Sequence, residues 1–187
     1  GMERGSFVAF INVPSYGGKA NPDKTVHRGV CYNHPMSALQ LALFEPDQPQ
    51  NVGTILRLGA VLGVPVHIIR PTGFVWDDRR LKRAGMDYLD RVDLHLHASW
   101  DHFLAQPPGR LVLVETDGAT PLCQFAFTPG DCLLFGRESA GTPRTVYGQV
   151  SQSLFIPQVP HERSLNLATA VAITTGVALQ QLQAWPQ

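Results

Sequence analysis

The chain has 187 residues, of which 44% are hydrophobic and 16% charged, as is typical of a soluble globular domain. Its 15 Lys and Arg residues balance 15 Asp and Glu residues, which argues against capture of nucleic acid by bulk charge but allows a local basic patch. The three cysteines include no Cys-x-x-Cys pair and no apolar run is long enough to span a bilayer. We therefore expect a cytoplasmic protein with no disulfide framework, no zinc site and no membrane span.

The first part of the chain differs from the rest in composition. Residues 1–35 are rich in Pro, Gly and Asn and show little periodicity. They predict an irregular N-terminal extension, in which Gly1 before Met2 is expected to be an expression remnant. One domain is predicted over residues 36–187, and the extension could be held against a partner subunit.

Apolar runs alternate with helical patterns from Leu39 onward. Strands are predicted at residues 39–44, 65–70, 92–97, 110–116, 131–136 and 153–157. Helices are predicted at 51–63, from Asp77 or Asp78 through Ala84, after Ser99, after Thr142, and over about 166–183. The first has Asn51 as N-cap and Gly63 as C-terminal stop. Ser99 and Thr142 are the N-caps of the third and fourth, and Pro143 lies in the first turn of the fourth. Strands separated by helices indicate an α/β domain with a mostly parallel sheet flanked by helices.

Four polar clusters follow strands of this pattern, where open parallel sheets bind ligands. In the first cluster, residues 51–57, Gly53 and Arg57 are one helical turn apart, so the missing side chain at Gly53 leaves room for a ligand above Arg57. The alternative is a capping Asn51 and an arginine that reaches solvent. In the second, residues 133–143, small residues after Gly136 allow a ligand close to the backbone, or form an ordinary connection with Glu138 in solvent.

The third cluster, residues 156–171, leads through two prolines into a helix that is apolar on nearly every side. Such a helix is buried or pressed against a partner. Ser164 and Asn166 both lie at its mouth, and since one cap is sufficient, we expect the pair to face a ligand as well. The fourth cluster, residues 73–88, is basic and partly aromatic; it either contacts phosphates and bases or forms a solvated helix face.

Common nucleotide and metal motifs do not occur. The sequence has no Gly-x-Gly-x-x-Gly and no Gly-x-x-x-x-Gly-Lys-[Ser/Thr], so a nicotinamide or nucleoside-triphosphate site lacks its main support. No histidine pair has the spacing and the acidic companion of a zinc-hydrolase helix, and no metal is expected.

Together the clusters resemble the SPOUT class of S-adenosylmethionine-dependent RNA methyltransferases, and within it the ribose 2′-O-methyltransferases. The motifs Asn-x-Gly-x-x-x-Arg, Phe-Gly-x-Glu-x-x-Gly-x-Pro and Ile-Pro-x-Val-Pro with Ser-x-Asn-Leu occur in that order at Asn51–Arg57, Phe135–Pro143 and Ile156–Leu167. The stretches LFEPDQPQNVG and GFVWDDRRLKRAGMDY are similar to those of the subfamily that methylates the wobble nucleotide of transfer RNA. The resemblance covers about residues 39–183.

The resemblance implies an α/β fold with a C-terminal deep trefoil knot, an arrangement otherwise nearly absent from proteins. It also implies a homodimer with the active site at the interface. The knotted loops of such a fold would bind S-adenosylmethionine, and the residues that the resemblance assigns to this cofactor are Val114, Gly136, Ile156, Ser164 and Leu165.

The implied reaction is methylation of the ribose 2′-hydroxyl of nucleotide 34, a cytidine or uridine, in the tRNA anticodon stem-loop. The implied catalytic residues are Arg57, Asn51, Glu138, Ser164 and Asn166, with no metal. A guanidinium is a poor base at neutral pH, so we expect Arg57 to grip a phosphate and stabilise the developing alkoxide. Asn51 and Glu138 would orient Arg57 or the ribose, and Ser164 and Asn166 would lie between the methyl donor and the ribose.

Two motifs depart from those of the wobble subfamily, and both departures bear on the substrate rather than on the reaction. The second motif carries Arg137 and Ala140, whereas the wobble subfamily usually has proline at the first position and arginine at the second. Arg137 could compensate for the missing arginine. The third motif reads LATAV where a Ser-Asn pair is common. One alternative is a ribosomal-RNA methyltransferase of the same class, but such enzymes usually carry an extra RNA-binding domain, for which residues 1–35 are too few. The others are a non-catalytic RNA-binding dimer and, remotely, a dinucleotide-binding enzyme.

Overall fold

The computed structural model describes residues 26–28, 37–83, 87–150 and 152–187. The strands are β1 (Val26–Arg28), β2 (Leu39–Phe44), β3 (Val66–Ile69), β4 (Leu94–His97), β5 (Leu111–Val114), β6 (Thr120–Pro121), β7 (Asp131–Phe135) and β8 (Gln152–Phe155). The helices are α1 (Pro49–Leu62), α2 (Asp78–Arg83), α3 (Trp100–Leu104), α4 (Arg144–Tyr147) and α5 (Leu167–Gln181), and 3-10 turns lie at Asp87–Asp90 and Leu122–Gln124. The predicted end of the basic helix, Ala84, lies outside the described residues.

The eight described strands form one sheet in the order β1-β4-β3-β2-β7-β5-β8-β6. Neighbouring strands are parallel except β1 and β4, which are antiparallel. The predicted α/β class with a mostly parallel sheet is confirmed, and the trefoil knot stays a prediction. Strand β1 belongs to the region predicted to be irregular; the rest of residues 1–35 lies outside the described residues, and the boundary at residue 36 also stays a prediction.

Both faces of the sheet are buried, as the crossover helices of a parallel sheet require. Side chains alternate between the faces along each strand. In β2, Leu41 and Leu43 pack into a core that includes α1 and α5, whereas Ala42 and Phe44 pack into a second core that includes α3 and α4. The carboxyl ends of the central strands β2, β5 and β7 therefore open between two helical layers.

Helix α1 begins earlier than predicted. Pro49 occupies the first turn, where its fixed φ and missing N–H cost nothing, and Gln48 stands at the N-cap position. The prediction of Asn51 as N-cap is therefore wrong, because the helix has already begun, and the Asn51 side chain is available for tertiary contacts. The predicted stop is confirmed: Gly63 ends the helix with a left-handed φ of 65°.

Of two further predicted N-caps, Ser99 and Thr142, one is confirmed and one is wrong. Ser99 caps α3 as predicted, since its Oγ accepts a hydrogen bond of 3.1 Å from the His102 N–H. The prediction of Thr142 as a cap is wrong, because α4 begins at Arg144 with Pro143 at the N-cap position. The Thr142 hydroxyl instead donates to Oε1 of Glu115 at 2.5 Å.

A buried ion pair fixes the entry of the central strand β7. Asp131 has a fully buried side chain, and its Oδ1 and Oδ2 accept hydrogen bonds from Arg110 Nε at 2.7 Å and Nη2 at 2.8 Å. Thr128 donates to the same two oxygens from Oγ1 and from its backbone N–H, each at 2.9 Å. Although burial disfavours the charged form of Asp131, these donors outweigh it and hold its pKa below the usual value of 3.8.

We expect Asp131→Asn to lower the free energy of unfolding at pH 7 by about 2–3 kcal/mol, because the Asn amide nitrogen would face donors in either orientation. Urea denaturation measures this loss. A depressed folded-state pKa gives Asp131 a contribution that is present above the ordinary value of 3.8 and is lost as the pH falls through the folded value. The difference between the two proteins should therefore shrink below that pH.

Arg144→Ala is the matched control for this measurement. It removes the ion pair with Asp117, in which the side chains are 80% and 49% exposed, and should cost less than about 1 kcal/mol. Equal losses in the two variants would contradict a special role for the buried pair.

Candidate active site

A cleft of about 410 Å³ opens at the carboxyl ends of β5, β7 and β8. Small-molecule sites commonly enclose about 300–1,000 Å³. The cleft lies where ligands of open parallel sheets bind, beyond the strand ends. The segment before α5 forms its other wall.

The cleft brings together nearly all of the predicted site residues. Eight of them line it: Asn51, Val114, Gly136, Glu138, Ile156, Ser164, Leu165 and Asn166. Four further residues that were not predicted from the sequence also line the cleft, namely Gln48, Glu115, Thr116 and Gln158. A sequence pattern could have identified only Glu115 and Thr116 as site residues, because they are polar and directly follow a buried strand.

A chain of side-chain hydrogen bonds joins the three motifs at this cleft. Asn166 Nδ2 donates to Asn51 Oδ1 at 2.9 Å, and Asn51 Nδ2 donates to Glu138 Oε1 at 2.9 Å. Asn51 Nδ2 also lies 3.3 Å from Gln48 Oε1. The remaining end of the Asn166 amide caps α5, since its Oδ1 accepts from the Thr169 N–H at 3.3 Å. Both carboxamides are thereby fixed in orientation.

The carboxylate of Glu138 is held from two sides. Besides Asn51, it accepts a hydrogen bond from the backbone N–H of Asp47 at 3.1 Å, and the Ser139 N–H donates to Asp47 Oδ2 at 3.2 Å. Burial, together with the neighbouring carboxyl of Asp47, raises the pKa of Glu138 above its usual value of 4.5. Glu138 therefore takes up a proton at a higher pH than an ordinary glutamate.

Gly136 directly follows β7 and lines the cleft, with no room for a side chain. A Cβ at this position would lie 2.4 Å from Thr142 Oγ1, 2.5 Å from Glu115 Oε1 and 2.6 Å from the backbone carbon of Gly141. Gly141 itself has a φ of 63°, in the left-handed region that favours glycine. Glycine at these two positions brings backbone groups directly to the cleft wall.

Arg137 also lines the cleft, and its guanidinium is engaged within the chain. It forms an ion pair with Glu45 and lies 5.8 Å from the ring centroid of Phe44. The predicted compensation for the missing arginine at position 140 is not tested by this arrangement and stays a prediction.

Arg57 is the predicted catalytic residue that does not line the cleft. Its exposed side chain projects from α1, and its Cζ lies 5.2 Å from the ring centroid of Tyr88. Within one chain, the fold therefore separates Arg57 from the other predicted catalytic residues.

The described residues contain no group of three or more His, Cys, Asp and Glu placed to hold a metal ion. Within the same part of the chain, no helix is both long enough and apolar enough to cross a membrane.

Comparisons with known proteins give the family of this chain. The sequence profile of the SpoU rRNA Methylase family matches residues 38–176. The tRNA (cytidine(34)-2′-O)-methyltransferase of Beijerinckia indica subsp. indica is 50% identical over 147 residues, which cover 77% of this chain and 92% of that protein.

Two solved structures are similar in fold. One, from work on the 2-OH methylation of C/U34 on tRNA, is 44% identical with a TM-score of 0.72 and covers 78% of this chain and 96% of its own. The SpoU methyltransferase AviRb from Streptomyces viridochromogenes in complex with AdoMet is 25% identical with a TM-score of 0.66, over 79% of this chain and 62% of its own. Since the family profile and the first relative each match about three quarters of its length, the chain belongs to the SpoU rRNA Methylase family.

Proposed function

We propose that this protein transfers a methyl group from S-adenosylmethionine to the ribose 2′-hydroxyl of the wobble nucleotide, cytidine or uridine 34, of tRNA. The hydrogen-bonded chain Asn166–Asn51–Glu138 carries this proposal, because it joins the three methyltransferase motifs at one cleft. Relatives that are named for this reaction, and that match this chain over nearly their whole length, support the choice of substrate.

The cleft fits the cofactor in size and in chemistry. Backbone exposed at Gly136 can hydrogen-bond to an adenine or a ribose, and the apolar side chains of Val114, Ile156 and Leu165 can cover a flat base. Together with Ser164, these residues would hold S-adenosylmethionine. When bound, the cofactor supplies an electrophilic methyl group on a sulfonium sulfur.

Fixed polar groups at the mouth of the cleft would orient the ribose. Asn51 and Asn166 cannot rotate without breaking a hydrogen bond, and Glu138 holds the Asn51 amide from the other side. The Ser164 hydroxyl makes no hydrogen bond with the described residues and is open to a substrate hydroxyl. Holding two reacting groups in place can supply several kcal/mol by making their encounter effectively unimolecular.

A homodimer would complete the site with Arg57. Helices α1 and α5 pack side by side, and their outer faces expose large apolar side chains, with Val61 64% and Ile173 39% exposed. Arg57 lies one turn before Val61 on the same face of α1. A partner docked on this apolar surface would receive Arg57 at its own cleft, which fits the position of Arg57 outside the cleft of its own chain.

Arg57 would act as a charge stabiliser in this arrangement. Its positively charged guanidinium can bind a phosphate and the negative charge that grows on the ribose oxygen. The 2′-hydroxyl would release its proton to water as its oxygen forms the bond to the methyl carbon, and with the carbon–sulfur bond broken the product would be S-adenosylhomocysteine. By stabilising negative charge, Arg57 would make the deprotonated oxygen easier to form.

Two alternatives remain as outcomes of the test, a ribosomal-RNA methyltransferase and a non-catalytic RNA-binding dimer. Both predict no product on tRNA, and a non-catalytic dimer predicts no product on any RNA. The match to proteins named for methylation of tRNA nucleotide 34, over 92% and 96% of their length, favours tRNA.

The first prediction of this function concerns the reaction itself. With labelled S-adenosylmethionine and tRNA that lacks ribose methylation at nucleotide 34, we expect label on the 2′-oxygen of that nucleotide. Arg57→Ala should reduce the rate by roughly 100-fold or more, since it removes a charge that stabilises the transition state. Mass mapping of nuclease fragments locates the product. Bound cofactor with label on ribosomal RNA alone, or on no RNA, would overturn the assignment.

The second prediction concerns the cofactor. Gly136→Ala should weaken S-adenosylmethionine binding roughly 10- to 100-fold in calorimetric titration, because the new Cβ overlaps backbone and side-chain atoms of the cleft wall. Gly148→Ala is the matched control, since the nearest atom to its Cβ is Thr145 O at 3.9 Å. Equal affinities of the two variants would show that the cofactor binds elsewhere.

The third prediction concerns the shared site. Co-expression of Arg57→Ala and Gly136→Ala chains with different tags allows isolation of the mixed dimer. In a shared arrangement one of its two sites has both an intact cleft and an intact arginine, so it should recover about half of the parent activity. If each chain carries a complete site, the mixed dimer is as inactive as either variant alone.

A further inference from the structure

The ring of Tyr88 lies between two arginines next to α1. The Cζ atoms of Arg57 and Arg91 are 5.2 Å and 4.6 Å from its centroid, within the distance of about 6 Å at which a cation interacts with an aromatic face. Tyr88 ends the basic and aromatic stretch at residues 73–88, which the proposed chemistry does not otherwise use.

The backbone around this ring is firmly held. The carbonyl of Tyr88 accepts hydrogen bonds from the N–H groups of Arg91 at 2.9 Å and Val92 at 3.0 Å. Leu89 and Val92, 3% and 2% exposed, anchor the turn in the same core as α1. The half-buried ring of Tyr88 is therefore carried by an anchored segment of backbone.

The side chain of Arg57 is less constrained than the turn that carries Tyr88. It lies on the exposed side of α1, and its guanidinium makes no hydrogen bond or ion pair with the described residues. A long exposed arginine samples many rotamers, and each must be given up when the residue binds a charged group. Contact with the aromatic ring of Tyr88 reduces the number of rotamers that Arg57 samples before the substrate binds.

We propose that Tyr88 is a positioning residue for Arg57, whose guanidinium its ring holds in place for the RNA. The inference rests on the proposed function, in which Arg57 stabilises charge on the ribose. The aromatic ring, and not the phenol hydroxyl, would position the Arg57 guanidinium. The inference also gives Tyr88, the last residue of the basic and aromatic stretch, a role beside Arg57.

Tyr88→Leu and Tyr88→Phe test this assignment on the full-length protein. Tyr88→Leu should lower kcat for tRNA methylation by roughly three- to tenfold, as expected for loss of a cation–π contact. The KM for S-adenosylmethionine should not change, because Tyr88 does not line the cleft. Tyr88→Phe keeps the ring and should recover most of the lost kcat. Equal kcat values for the leucine, phenylalanine and parent proteins would overturn the inference.

A double-mutant cycle separates positioning from a merely structural effect. In an Arg57→Ala background, single-turnover rates should be the same with tyrosine or leucine at position 88. A further loss in that background, or a raised KM for the cofactor, would show that Tyr88 acts through the fold and would overturn the inference. The two proposals fail differently. If the parent labels nucleotide 34 and Arg57→Ala does not, the function stands whatever Tyr88 does; if the parent gives no label, both fall.

Discussion

The carboxamide of Asn51 is the contact on which the site depends. It is buried, with 7% exposure, and it accepts a hydrogen bond from Asn166 while it donates one to Glu138. A buried amide that loses either partner leaves a polar group unpaired at a cost of about 1–3 kcal/mol. The three segments are therefore most stable when they meet, and their meeting creates the cleft.

Backbone and side chains have separate tasks around this contact. Gly136 and Gly141 bring main-chain groups to the inner wall. A side chain at Gly136 would overlap Thr142 and Glu115, and Gly141 has a left-handed φ that favours glycine. Side chains that could orient a ribose lie at the mouth instead. This division suits a cofactor common to many methyltransferases and a substrate that differs among them. The zero net charge of the chain allows a local cationic patch, and Arg57 and Arg91 lie on the same aromatic ring, that of Tyr88, at 5.2 Å and 4.6 Å from its centroid.

The sequence-based predictions succeeded or failed according to how local their causes were. Six of the eight described strands were predicted, most of them because they are short buried runs, whereas β1 and β6 were not predicted. The stop at Gly63 and the cap at Ser99 depend only on adjacent backbone. Asn51 and Thr142 were assigned as caps from the same local rules, and both assignments were wrong. A proline fixed each boundary at a different residue, and each polar side chain found a distant partner that no local pattern reveals.

The sequence by itself determined the α/β class, the buried strands and eight of the residues that line the cleft, because periodicity and motif residues are local properties of the chain. The tertiary structure decided which of these residues meet. Asn51 lies 87 residues from Glu138 and 115 from Asn166, and only the order of the strands in the sheet brings them into contact. The same packing places Arg57 outside the cleft and against Tyr88, since the outward face of a helix is fixed by what its other face buries.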